Sequence, residues 1–292
     1  MKLGLDSALI VGHRGNPGNP LNTRRIENTS DSFDSAWDIG VDGVELDAHL
    51  LLKDGILVVY HDDNLGRVFE IPRDDCSRLV SEYSWEELQR AELSRQKLED
   101  ELRTKHGKKV DLHKYTSLKI PKLEELLPLP PGKKLFLELK FPNDVEPKDK
   151  EYLNRLVKAI VEFIEKNKII DQTYVLSFVP SALREIKRLN SRIKTAYNVY
   201  QHETDQPDSK KIIRELKREY GFDAINPPFE QLPSGSIATI HELNLRTFPW
   251  VWKQTDREEL DETKRLLENG ADGTINNQPQ EAITIRNGIV VS

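Results

Sequence analysis

The fold class predicted here is a TIM-type (β/α)8 barrel with one inserted segment after its third strand-like run. Three observations lead to it. Short apolar and β-branched runs alternate with amphipathic helical patterns from end to end of the 292 residues. Runs separated by helix-length connections number eight, as a closed parallel barrel requires. One stretch, residues 62–121, is far too long for an ordinary connection. A doubly wound open sheet shares the alternation, but the count of eight favours the barrel.

Taken in order, the strands are read at residues 8–12 (ALIVG), 43–48, 134–139, 173–177, 194–198, 223–226, 246–252 and 272–275. Helical patterns fall between them at 151–167, 181–189, 209–220 and 256–268. In the first of these, Leu153, Leu156, Val157, Ile160, Val161 and Ile164 make one apolar stripe. A further run at 56–60 follows the second strand after only Lys53-Asp54-Gly55. Three residues cannot make a parallel crossover, and Asp-Gly is a strong hairpin signal, so this run must return antiparallel. With the turn centred on Asp54-Gly55, His61 falls opposite about Ala48, within one residue, and near Asp47. Inside 62–121, Ser84 stands three residues before Glu87, a capping box that starts a helix at about Trp85. The whole chain, 1–292, is read as a single barrel domain with 62–121 inserted in it.

Composition narrows the function classes. Lys and Arg total 43 against 49 Asp and Glu, a net charge of −6, which argues against non-specific nucleic-acid binding. The one cysteine, Cys76, has no intramolecular partner for a disulfide. Residues 1–9 lack the apolar core of a secretory signal, and no apolar run reaches the roughly 20 residues of a membrane span. A cytoplasmic protein acting on a small molecule is the expectation.

The chemistry-bearing residues gather at predicted strand ends, where barrel enzymes place their reacting groups. His13 and Arg14 follow the first strand, with Glu27-Asn28-Thr29 downstream. Glu45 and Asp47 are two apart on the second, so both carboxylates face one way. Glu138 and Lys140 end the third parallel run, and His61 ends the hairpin return. Two buried like charges need neutralising, and a hard divalent cation held by Glu45, Asp47 and Glu138 would do so. All-oxygen ligation selects Mg²⁺ or Ca²⁺. Arg14 or Lys140 can then face a phosphate oxygen, and two histidines suit general acid–base work, which together describe phosphodiester cleavage. Trp252 ends the seventh strand, where it is placed to line the pocket. Each piece has a plainer use alone: a strand-end histidine as a cap, Glu-x-Asp as a solvated sheet face, His106 and His113 as loop residues, and His49 either as a group behind the site or as a surface residue. Their joint order is what carries the reading.

In that order the chain resembles the glycerophosphodiester phosphodiesterases, through "GHRG…ENT", "ELDAHLLLKDG…VVYHD", "LFLELK", "SFVPSALREIK", "FPWVW" and "NGADGTINNQP". The resemblance implies a barrel hydrolase that releases an alcohol from a glycerophosphodiester with divalent-metal help. It implies His13 and His61 as the acid–base pair, Glu45, Asp47 and Glu138 as metal ligands, and Arg14 and Lys140 beside the phosphate. It further implies attack by the neighbouring glycerol hydroxyl, giving a cyclic phosphate that water opens. Lysophospholipase D or sphingomyelinase D-like chemistry, and a non-catalytic phosphate-binding barrel, are the alternatives. The chain departs from the family pattern at Ile26, where a proline is usual, and in the long spacer Asn16 to Ile26, with Arg24 and Arg25. It departs again at Leu52, where threonine is common, and at Asn276-Asn277, which replace the usual Thr-Asp.

Overall fold

The computed structural model describes residues 8–17, 26–70, 75, 77–94, 97, 119–145, 147, 150–199, 209–229, 232, 235–250 and 256–291. Cys76, His106, His113, Arg24, Arg25 and Trp252 lie outside the described residues.

The elements run β1 (Leu9–Gly12), α1 (Ser30–Asp38), β2 (Gly43–Leu51), β3 (Ile56–Val59), β4 (Phe69–Glu70), α2 (Trp85–Arg90), β5 (Glu92–Leu93) and β6 (Lys134–Leu139). There follow α3 (Lys150–Lys166), β7 (Thr173–Ser177), α4 (Pro180–Leu189), β8 (Lys194–Asn198), α5 (Ser209–Tyr220) and β9 (Ala224–Asn226). The last are α6 (Ser236–Glu242), β10 (Arg246–Thr247), α7 (Asp256–Glu268), β11 (Gly273–Asn276) and α8 (Pro279–Val291). Eight strands form one path, β10-β9-β8-β7-β6-β2-β1-β11, with every neighbouring pair parallel. The two ends of the path meet through the Asp272 N–H to Thr247 O at 3.2 Å and the Ile275 N–H to Pro249 O at 2.9 Å. The sheet is thus a nearly closed (β/α)8 barrel. Pro249 has no N–H to give to a ladder, so the regular part of the seventh strand stops at Thr247 although the sequence pattern runs on.

The barrel's interior is filled low down by aromatics. Phe136 stacks on Tyr174 at 5.0 Å between centroids and meets Phe248 edge-on at 5.0 Å. Fully burying one such ring contributes about 1.5–3 kcal/mol. Glu138 lies two residues beyond Phe136 on the same face, so the polar residues begin where this plug ends. Outside the barrel, the predicted stripe of α3 is buried against Leu135, Leu137 and Leu139 of β6. Strand β2 runs three residues past its expected end because β3 pairs with Ala48–Leu51 and prolongs it. Beyond the hairpin, Leu65, Val68, Phe69, Val80, Tyr83, Leu88 and Ile120 pack on Leu51, Val58 and Tyr60. The helix from Trp85 forms as its capping box requires, with Ser84 Oγ accepting from the Glu87 N–H. Among the described residues no helix is long and apolar enough to cross a membrane.

Candidate active site

The site begins with the turn after β1. A Cβ on Gly12 would lie 2.1 Å from the Gly15 carbonyl oxygen, and one on Gly15 (φ +92°) would lie 2.5 Å from Ser32 Oγ. Only glycine fits at either place. Arg14 between them adopts φ 54°, and its carbonyl accepts from Ser32 Oγ at 3.0 Å. In this conformation the Arg14 N–H donates to Glu45 Oε2 at 2.9 Å, while the guanidinium reaches Glu27 Oε1 at 3.0 Å. Its Nε lies 3.5 Å from Asp47 Oδ2.

Strand alternation brings Glu45, Asp47 and His49 to one face of β2, and the register pairs Asp47 with Glu138 of β6. One oxygen from each of Glu45, Asp47 and Glu138 lies within 4.8 Å of the others, and all three residues are buried. Amides steady two of them: Asn28 Nδ2 donates to Asp47 Oδ2 at 2.8 Å, and Asn198 Nδ2 to Glu138 Oε2 at 2.8 Å. Asn226 Nδ2 in turn donates to Asn198 Oδ1 at 3.1 Å. Lys140 Nζ donates to Glu138 Oε1 at 3.0 Å and lies 3.7 Å from Asp47 and 3.3 Å from Asp144.

Electrostatics shows what this cluster lacks. Burial, with Asp47 and Glu138 adding, pushes the Glu45 carboxyl well above its usual range. Burial pushes Glu138 up to about 7 in spite of Lys140. Asp47 stays well below the usual range, because His61, Arg14 and Lys140 together overcome its burial. Three carboxylates and Asp144 face the cations of Arg14 and Lys140, so negative charge is in excess and both glutamates are shifted toward their protonated forms, a shift that a further cation would reverse. The cluster can hold a metal ion, and its all-oxygen donor set suits a hard divalent one.

The two histidines flank it. His13 Nδ1 donates to Asn277 Oδ1 at 2.7 Å, leaving Nε2 unprotonated, 3.8 Å from Glu45 Oε2. Burial, with Arg14 adding, lowers its pKa to about 3, so the ring is neutral near pH 7. His61 sits differently from expectation. Ala48 pairs with Val59, and the turn occupies residues 52–55, centred one residue earlier than Asp54-Gly55. Continuing that register puts His61 opposite Leu46 instead of Ala48. The Tyr60 N–H still donates to Asp47 O at 3.0 Å, which keeps the chain paired up to the site. His61 Nδ1 is 2.7 Å from Asp62 Oδ1, and Arg67 bridges the other Asp62 oxygen to Glu27. His49 is no surface residue: it is buried, and its Nε2 has no hydrogen-bond partner among the described residues. Burial, with Lys140 adding, lowers its pKa to about 3.

The described fold therefore brings His13, Arg14, Glu45, Asp47, Glu138, Lys140 and His61 to one end of the barrel. This geometry agrees with what comparison of the chain with known proteins finds. The model of the glycerophosphoryl diester phosphodiesterase family matches residues 13–281. The chain belongs to that family. A glycerophosphodiester phosphodiesterase of Caldanaerobacter subterraneus subsp. tengcongensis is 25% identical over 279 residues, covering 95% of this chain and 97% of that one. Two solved structures share the fold. A phosphodiesterase of Oleispira antarctica, in complex with the product sn-glycerol-3-phosphate, matches with TM-score 0.70 and 21% identity over 98% of this chain and 100% of that one. A glycerophosphodiester phosphodiesterase of Parabacteroides distasonis matches with TM-score 0.68 and 19% identity, covering 97% and 98%. As a member of the glycerophosphoryl diester phosphodiesterase family the chain is a phosphoric diester hydrolase.

Some partners of the site in this phosphodiesterase have no local sequence signal. Asn198 and Asn226 end β8 and β9 as ordinary amides, and Arg67 lies in a charged segment. Asn277 does carry a signal, since it stands where the family pattern has an aspartate.

Proposed function

We propose that the chain hydrolyses glycerophosphodiesters to an alcohol and glycerol phosphate, with Mg²⁺ or Ca²⁺ held by Glu45, Asp47 and Glu138. The observation that carries this reading is the buried carboxylate triad, its oxygens within 4.8 Å, beside His13, whose Nδ1 is tied to Asn277 and whose Nε2 faces the cluster. When bound, the cation would neutralise a phosphate oxygen and stabilise the charge that builds on phosphorus in the transition state. Arg14 and Lys140, both fixed by carboxylates, supply positive charge at the same end of the barrel. His13 Nε2 takes the proton of the attacking glycerol hydroxyl. His61 delivers a proton to the leaving alcohol oxygen as the P–O bond breaks. Water then opens the cyclic phosphate, and the two histidines exchange roles. Trp252 is assigned to the pocket wall by its place in the sequence alone.

We read residues 62–121 as an insertion within a single barrel domain, supported by the apolar contacts that join Leu65, Phe69 and Leu88 to the β2–β3 hairpin. The function is tested by assaying glycerophosphocholine and related deacylated diesters beside their long-chain lysophospholipid counterparts. The deacylated diesters are expected to turn over. Preference for the long-chain substrates favours the lysophospholipase D-like alternative, and binding without turnover of either favours a non-catalytic barrel.

A further inference from the structure

A continuous chain of charged contacts runs from the first loop to His61. Arg14 donates to Glu27 Oε1 at 3.0 Å, and the same oxygen accepts from Arg67 at 2.7 Å. The Arg67 Nε donates to Asp62 Oδ2, and Asp62 Oδ1 meets His61 Nδ1 at 2.7 Å. Arg67 lies in the short turn Leu65–Arg67 just past the hairpin, anchored by buried Leu65.

The fork geometry matters here. A guanidinium is planar and its donors are fixed in direction, so one Arg67 can hold two carboxylates at a set distance from each other. Asp62 is about one-fifth exposed, and a carboxylate so placed would otherwise rotate and share its oxygens with water. With Oδ2 held by Arg67, Oδ1 is left facing His61. An Nδ1–H given to that oxygen leaves Nε2 as the ring atom turned outward from Asp62. Glu27 precedes Asn28, which holds Asp47, so the same arginine ties the His61 segment to the loop that shapes the carboxylate cluster.

We propose that Arg67 is a positioning residue for His61: through Asp62 it fixes the imidazole, and through Glu27 it sets that imidazole's place relative to the His13–Arg14 turn. The proposal rests on His61 being the proton-delivering group described above. Arg67 touches no reacting atom in this role, so its loss acts on turnover more than on substrate affinity.

The test compares wild type, His61→Ala, Arg67→Leu and Arg67→Lys by steady-state kinetics and by ¹⁵N NMR of the His61 ring. Arg67→Leu is expected to lower kcat by roughly tenfold to a hundredfold, the scale of a misplaced catalytic group, with KM within about twofold. The His61 ring resonances should shift in the same variant. Arg67→Lys should recover part of kcat, since an ammonium can hold one carboxylate but lacks the fork. If Arg67→Leu does not fold, as judged by its melting transition, Arg67→Gln serves in its place with the same expected direction. Unchanged kcat in the folded variant, or a rise in KM alone with unmoved ring resonances, overturns the proposal. The two failures separate cleanly. A fully active His61→Ala overturns the role of His61 itself, whereas an inactive His61→Ala beside a fully active Arg67→Leu overturns only the role of Arg67.

Discussion

His13 and His61 stand at the same end of the barrel but are held by opposite chemistry. His13 is the more enclosed, its side chain 15% exposed against 33% for His61. Its partner is a neutral amide, Asn277, 264 residues away in sequence. His61 is bound to a carboxylate on the adjacent residue, Asp62, itself clamped by Arg67. The difference teaches that each ring depends on a different part of the fold. Asn277 directly follows β11, which pairs with β1 on one side and meets the β10 end at the closing seam on the other, so His13 is oriented from that seam. His61 is oriented by a local turn and an arginine fork, and needs no seam. Burial, with Arg14 adding, keeps His13 neutral and ready to take a proton, whereas Asn277 fixes which ring nitrogen faces the cluster.

The strongest way to break this comparison is to remove each ring. His13→Ala and His61→Ala should each lower kcat by about 10²–10⁴-fold, the usual worth of a general acid or base. Equal activity in either variant would show that its ring takes no part.

Next in size, Asn277→Leu should lower kcat by roughly tenfold to a hundredfold by freeing the His13 ring. Asn277→Asp keeps the acceptor and should keep most of the turnover, but its charge raises the His13 pKa. Because His13 must be neutral to act as base, the acidic limb of the kcat–pH profile should move to higher pH. A profile unchanged in Asn277→Asp would contradict the contact.

A third effect sharpens the contrast between the buried cluster and the more open His61 side. Glu138 is pushed up to about 7 by burial, and Glu45 well up, so a cation must displace a proton at lower pH. Calorimetry should show Mg²⁺ or Ca²⁺ affinity falling as pH drops below about 7, by at least about tenfold per pH unit, with protons released on binding. Affinity flat from about pH 5 to about pH 8 would contradict the raised carboxyls.

The smallest effect is expected at Tyr60, whose hydroxyl donates to Asp62 at a long 3.4 Å. Tyr60→Phe should cost less than about 1 kcal/mol in thermal unfolding, with kcat within about twofold, because Arg67 already holds that oxygen. A large loss of kcat would move the clamp from Arg67 to Tyr60.

Much of this architecture is legible in the sequence, for reasons specific to each element. Strands β6, β7 and β8 begin and end where their apolar runs do, because both faces are covered and no competing pairing extends them. Helix α3 is readable because its buried residues form one stripe. Helix α8 is not, since its apolar residues are spread around it. Helix α1 is announced only by Thr29, whose side chain caps it by accepting from the Ser32 N–H. The hairpin's existence follows from Asp-Gly, but its register depends on which residues of 52–55 bend, and alternation alone does not settle that. At the site, Glu45 and Asp47 share a face by strand period, and Glu138 joins them by strand-end position. The contacts of His13 with Asn277 and of Arg67 with Glu27 depend on barrel closure and loop path, which local spacing does not encode.

The most direct test of the central claim, that this barrel end cleaves glycerophosphodiesters with a cation held by Glu45, Asp47 and Glu138, is turnover of a panel of deacylated glycerophosphodiesters by EDTA-treated protein, with Mg²⁺ or Ca²⁺ then restored in turn. The account predicts no turnover after EDTA and recovery with at least one of the two ions, in wild type but not in Asp47→Asn. Undiminished turnover without metal, or equal recovery in Asp47→Asn, would contradict it.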